Sequence, residues 1–364
     1  MKLKKIIDVL ESWAPFSFQE EWDNSGLIIG DPEMEVTGIM VSLDATSEVL
    51  EEALALNCNV IISHHPFLFK GILRITPMMP EYPLIRLAMQ HGLAVIAMHT
   101  NVDNRAESLN HFLGRRIGLK EIRILQPKQG YLKKLVTFCP TEHANKVRDA
   151  LFGAGAGHIG NYDCCSFNAQ GQGSFRASEK ANPFVGKKHT IHFEEETRIE
   201  VVFPVYIESR LIAALLANHP YEEVAYDIYP VNNLFHQAGA GIFGHLTEPL
   251  LPDEFLRQVK QVFGLTLIRH TGTHGNPIRK VAICSGAGAF LIRDVGRIGV
   301  DAYLTGDLKY HDFQAAPGHL LLADIGHFES EQFVKEILRA LLIEKFPNFA
   351  VLISEREINP VKYF

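Results

Sequence analysis

Four apolar runs in this chain each end in residues that can bind metal or move protons. They are Ser63-His64-His65-Pro66, His99-Thr100-Asn101-Val102-Asp103, Thr305-Gly306-Asp307 and Asp324-Ile325-Gly326-His327-Phe328-Glu329-Ser330-Glu331. Pro66 biases His65 toward extended backbone, where neighbouring side chains point to opposite sides, so the His64-His65 pair serves two ions more readily than it chelates one. His327 and Glu331 stand four apart where a loop becomes a helix, and share a direction if the first turn is already helical. Taken together, His64, His65, Asp103, His327 and Glu331 are a nitrogen and oxygen ligand set with enough members for two divalent ions (Zn, Fe, Mn or Co). If Glu331 bridges, each ion keeps an open position for water, an arrangement that fits hydrolysis.

Each of these residues also has a plainer reading. The paired histidines can be solvated loop residues, Asp103 can cap a helix starting near Arg105, and Glu331 can be an acid favoured by a helix dipole. Val334 and Leu338 share the Glu331 face, however, and a carboxylate on an apolar helical face is costly unless paired or metal-bound. His99 and His311 are candidate general acid/base or supporting groups, because a neutral imidazole near pH 7 can fill either role. Asp307, Tyr310 and His311 follow another strand and could meet substrate, or equally form a helix cap with surface neighbours.

The elements that must position these residues alternate. Strands are predicted at Gly38 to Leu43, Asn59 to Ser63, Leu93 to Met98, Lys280 to Cys284, Ala302 to Leu304, Leu320 to Ala323 and Ala350 to Ile353. Helices are expected at Ser47 to Leu56, Pro83 to Gln90, Ala106 to Arg116, Phe290 to Ile298 and about Ser330 to Glu344. Nearly continuous apolar strands separated by helices imply a mostly parallel α/β sheet covered on both faces, with ligands beyond the strands' carboxyl ends.

The middle of the chain reads differently and repeats itself. Lys134 to Pro140, a helix from Ala144 to Phe152, and Asn161 to Phe167 make one strand-helix-strand unit; Glu200 to Pro204, Glu208 to Ala217 and Glu223 to Tyr229 make another. Two such units imply a ferredoxin-like α+β domain. Between them, Gln170 to Lys188 has the composition of a mobile loop or long hairpin. The domain reading is a discontinuous α/β domain, 1–125 and 236–364, with an inserted ferredoxin-like domain at 126–235.

Composition narrows the function classes. The chain has 364 residues, 47% hydrophobic and 21% charged, with a formal net charge of -7 and no basic block. The electrostatic drive for nucleic-acid binding is therefore missing. Asp8 and Glu11 interrupt any apolar leader, and no uncharged run approaches the roughly 18 residues of a membrane span. A cytoplasmic protein is expected, with no membrane partner. Five scattered cysteines lack a C-x-x-C pair and read as small buried hydrophobes. Gly155 to Gly160 and Gly239 to Gly244 fit G-x-G-x-x-G, but neither joins a clear strand to a helix, so turn and close-packing glycines are expected.

Six motifs in order carry a resemblance: Trp22-Asp23-Asn24-Ser25-Gly26-Leu27, Ser-His-His-Pro at 63–66, His-Thr-Asn-Val-Asp at 99–103, the glycines of 239–244, Thr-Gly-Asp at 305–307 with His311, and Gly-His-Phe-Glu-Ser-Glu at 326–331. This pattern resembles the GTP cyclohydrolase type 2 family, also called NGG-interacting-factor-like proteins, in its long form with an insert similar to the PII and copper-tolerance proteins. The segment Asn218-His219-Pro220-Tyr221-Glu222-Glu223 resembles part of that insert. The resemblance implies a dinuclear metal site at His64, His65, Asp103, His327 and Glu331, and a ring-shaped homohexamer with sites facing an internal cavity. It also implies water attack at C8 of guanine followed by release of formate. The leading expectation is a metal-dependent hydrolase of a small nucleotide-like substrate. The competing class is a non-enzymatic metal-binding or regulatory module whose insert binds a metabolite or a protein.

Overall fold

The computed structural model describes residues 1–273 and 275–363. In chain order its strands are β1 (Gly26–Ile29), β2 (Ile39–Ser42), β3 (Val60–Ser63), β4 (Ala94–Ala97), β5 (Leu119–Lys128), β6 (Leu132–Pro140), β7 (Phe167–Arg176) and β8 (Ile191–Pro204). They continue with β9 (Tyr226–Val231), β10 (Phe235–Leu250), β11 (Arg269–His270), β12 (Ile278–Ala287), β13 (Ala302–Gly306), β14 (Leu321–Asp324) and β15 (Val351–Ile353). The chain is a mixed α/β protein with three sheets, divided into two compact units, Met1–Pro127 with His236–Phe364, and Lys128–Phe235.

The first unit holds two sheets. One runs β1-β4-β3-β2-β15, parallel except for the antiparallel edge strand β1. The other runs β11-β14-β13-β12-β10-β5; its centre, β12 to β14, is parallel, while β10 runs antiparallel to β12 and β11 antiparallel to β14. The parallel strands are buried on both faces, which explains their unbroken apolar sequence. Ile39, Val41, Val60 and Ile62 share a core with Val281, Ile283, Ala302 and Leu304 and with helix residues such as Leu113, Val259 and Leu338. On the opposite face of the first sheet, Met40 and Ile61 meet Val49, Leu50 and Ala88. Alternate residues of each strand thus face different cores, as a period of two requires.

In the second unit the order is β7-β8-β6-β9, antiparallel throughout. Helices Ala144–Gly153 and Glu208–Asn218 bury Val147, Leu151, Leu211 and Leu215 against Leu135, Ile199 and Val201 on one face of that sheet.

Several expectations are corrected. The helix predicted from Ala106 starts at Leu109, because Arg105 makes a bridge to Ala238 and its Nε donates to the Trp13 carbonyl at 2.7 Å. The helix predicted over Ser330 to Glu344 is two, His327–Glu331 and Val334–Lys345. The strand predicted at Asn161 to Phe167 is a turn with left-handed backbone at Gly160 and Cys164, and β7 begins at Phe167. The polar segment after it becomes a long β7/β8 hairpin. Strands β1, β5, β10 and β11 lie outside the predicted strands. Cys58, Cys139 and Cys284 are buried, whereas Cys164 is exposed and Cys165 half-buried. In β10 the close-packing role holds: a Cβ on Gly239 would lie 2.2 Å from the Gln126 carbonyl oxygen. Among the described residues no helix is long and apolar enough to cross a membrane.

Candidate metal centre

The site forms where strands β3, β4, β13 and β14 end. His64 and His65 continue β3 alongside the end of β2, their N–H groups donating to the Ser42 and Leu43 carbonyls at 3.1 and 2.8 Å. Asp103 is the last residue of a one-turn helix, Thr100–Asp103, that follows β4, so it does not cap the next helix. After β14, Gly326 at φ 82° turns the chain into helix His327–Glu331, whose first and last residues share a face.

Glu331 organises the cluster. Its Oε2 lies 2.9 Å from Nε2 of His65 and 2.9 Å from Nε2 of His327. Its Oε1 lies 3.9 Å from Nε2 of His64, which is itself 3.6 Å from Oδ1 of Asp103. Two groups that could each hold a metal ion therefore share this carboxylate, His65 with His327 and His64 with Asp103. Room for the carboxylate depends on Gly286, where a Cβ would fall 2.1 Å from Oε1 and φ is +61°.

Every imidazole is gripped from behind. Nδ1 of His64 donates to the Met98 carbonyl at 2.7 Å, His65 to Asp44 at 2.8 Å, His327 to Asp307 at 2.7 Å and His99 to Asp23 at 2.7 Å. Such bonds fix ring orientation and tautomer, and leave Nε2 as the inward-facing donor atom, the usual support of a metal-binding histidine.

The electrostatics are those of a crowded buried cluster. Burial alone would raise the Glu331 carboxyl, but the imidazoles of His327, His64 and His65 hold it well below the usual range. Burial opposes charge on His65, yet Asp44 and Glu331 push it up to about 10; for His327, Glu331 and Asp307 outweigh burial and bring it to about 9. Asp103 goes the other way: burial raises its carboxyl further than His64 lowers it. Nε2 of His64 and Oδ1 of Asp103 are buried and without hydrogen-bond partners. Buried polar atoms are nearly always satisfied, so two orphans facing each other in a nitrogen and oxygen donor set fit a bound divalent cation.

His99 joins the cluster, its ring centroid 5.2 Å from His64 and 5.3 Å from His65. Asp23, which orients it, also accepts from the Thr100 N–H and hydroxyl; burial would raise that carboxyl, but His99 and Thr100 hold it far below its usual value. Two aromatic rings flank His99, Trp22 and Phe69, each at 5.8 Å and both well exposed. His311, by contrast, is exposed in helix Tyr310–Ala315 with Nδ1 against Gln314, and takes no part in the cluster among the described residues.

Supporting residues escaped the sequence reading. Asp44 follows β2 and grips His65. Glu357, far along the chain, accepts from the N–H groups of Leu43 and Asp44 at 2.5 and 2.7 Å and so fixes Asp44 in turn. The only signal for Asp23 was its place in the Trp-Asp-Asn-Ser-Gly motif.

The class these features define is a mixed α/β protein with an imidazole and carboxylate cluster able to hold metal. The family model described as "Duf34/NIF3 (NGG1p interacting factor 3)" matches residues 1–360, and the chain belongs to that family. Proteins called "GTP cyclohydrolase 1 type 2 homolog" are similar to it: that of Staphylococcus epidermidis is 36% identical over 100% of both chains, and that of Halalkalibacterium halodurans is 37% identical over 98% of both. Among solved structures, a Bacillus cereus protein related to NIF3 superposes with a TM-score of 0.86 at 34% identity, covering 100% of this chain and 99% of that one.

Proposed function

We propose that the protein is a metal-dependent hydrolase of a small nucleotide-like substrate, with GTP the substrate that its relatives' names suggest. The observation that carries this is the division of Glu331, one oxygen toward His65 and His327, the other toward His64 and Asp103. On this reading the five residues hold two divalent ions per chain. Bound there, such ions lower the pKa of water and stabilise attacking and leaving oxygens.

The chain's own residues supply the rest. His99, locked by Asp23 in the tautomer with Nδ1 protonated, presents Nε2 to accept a proton. Trp22 and Phe69 offer an exposed ledge against which one face of a planar heterocycle can stack, which supports a nucleotide-like substrate. In the second unit, the order strand, helix, strand, strand, helix, strand with both helices on one face supports the ferredoxin-like reading. The family resemblance also supports self-association into a homohexameric ring.

The test is an assay of purified protein with GTP and each of Zn, Mn, Fe and Co, reading formate. Formate release dependent on metal and on Glu331 is the expected result. Its absence with every metal rejects GTP as substrate.

A further inference from the structure

The second unit contains a cleft of about 960 Å³ on the sheet face opposite its helices, a volume within the range of small-molecule sites. Its floor is bare: Ala169, Gly171 and Gly173 of β7 lie across from Arg198, Glu196 and Glu194 of β8, so backbone is exposed where side chains would normally stand. One wall is aromatic, with Tyr221 6.0 Å from Phe175 and 6.3 Å from Phe184. The Asn182 N–H donates to Glu222 at 2.7 Å, tying together the two loops that form this wall.

Two of the polar groups at the cleft, Tyr221 and Glu196, present acceptors. Tyr221 donates its only hydroxyl proton to Oε1 of Glu196 at 2.8 Å and keeps lone pairs to offer. Oε2 of Glu196 lies over Gly173, 2.1 Å from where a Cβ would be. Among the described residues Glu196 has no ion-pair partner, while its neighbour Arg198 is taken by Glu200 at 2.8 Å. Arg176 and Lys180, the other basic residues of the lining, are exposed. A half-buried carboxylate without a cation, beside aromatic faces, is the arrangement that recognises organic cations.

We propose that this cleft binds a small organic cation, its ammonium or guanidinium group on Glu196 and its apolar body against Tyr221, Phe184 and Phe175. The site is separate from the metal centre and does not depend on the hydrolase reading.

Calorimetric titration of the full chain with tyramine and with agmatine, against 4-hydroxyphenylacetate as an anion of matched shape, tests the proposal. Saturable binding of at least one cation is expected, weakened at least ten-fold by Glu196→Gln. Gly173→Ala should weaken it similarly, because the added methyl displaces the carboxylate while the backbone there lies outside the left-handed region. Thermal melts and metal content of both variants should match the parent and so report intact folding. Failure of both cations to bind, undiminished binding by well-folded Glu196→Gln, or preference for the anion overturns the proposal.

Discussion

The two sides of the Glu331 carboxylate are built differently. On the Oε1 side, His64 is fully buried and its ring is held by a backbone carbonyl, that of Met98. On the Oε2 side, the side chains of His65 and His327 are 19% and 35% exposed and are held by the carboxylates of Asp44 and Asp307, themselves 40% and 57% exposed. The inner half is thus fixed by the fold, since no substitution removes a peptide carbonyl. The outer half is set by side chains, carries the two additional carboxylates of Asp44 and Asp307 and is partly open to solvent.

That contrast can be broken first at its shared element. Glu331→Gln removes the charge from both halves, and elemental analysis should find at least one metal ion per chain lost; full retention would show that Glu331 joins nothing. Asp44→Asn touches only the outer half. Loss of such an outer partner typically costs about 10–100-fold in metal affinity, so competition with a chelating dye should show one weakened ion and one unchanged. Trp22→Ala alters neither half. Stacking of a base on an aromatic ring is worth about 1–3 kcal/mol, so KM for a planar substrate should rise about ten-fold with metal content constant.

The smallest effect concerns the support behind the site. Burial alone would raise the Glu52 carboxyl, but the Ser354 hydroxyl at 2.5 Å and the Glu355 and Arg356 N–H groups hold it below its ordinary value. A depressed carboxyl pKa contributes stability above the unfolded value and loses it as pH falls through the folded one. Melting temperature should therefore fall on acidification below about pH 4.5, and Glu52→Gln should be less stable at neutral pH but show a shallower acid slope.

How much could be read beforehand follows the same physics. The parallel strands were legible because burial on both faces leaves nothing but apolar residues, as in Val60-Ile61-Ile62. The five cluster residues stood out because they fall in short polar motifs just beyond such runs. β5 and β10 were not legible: each is exposed at many positions and mixes charged or glycine residues with apolar ones, so their pattern resembles loop. Asp44 and Glu357 were invisible because they act through another residue, and a carboxylate gripping a histidine has no spacing of its own. His311 shows the reverse, a histidine beyond a strand that turns out to the surface.

The hydrogen bond between His65 and Glu331 spans 266 positions, and this separation has a consequence during synthesis. The ribosome releases His64, His65 and Asp103 early, then the whole of the second unit, and only afterwards His327 and Glu331. A nascent polypeptide consequently cannot assemble the centre until Glu331 has emerged, some 266 positions after His65.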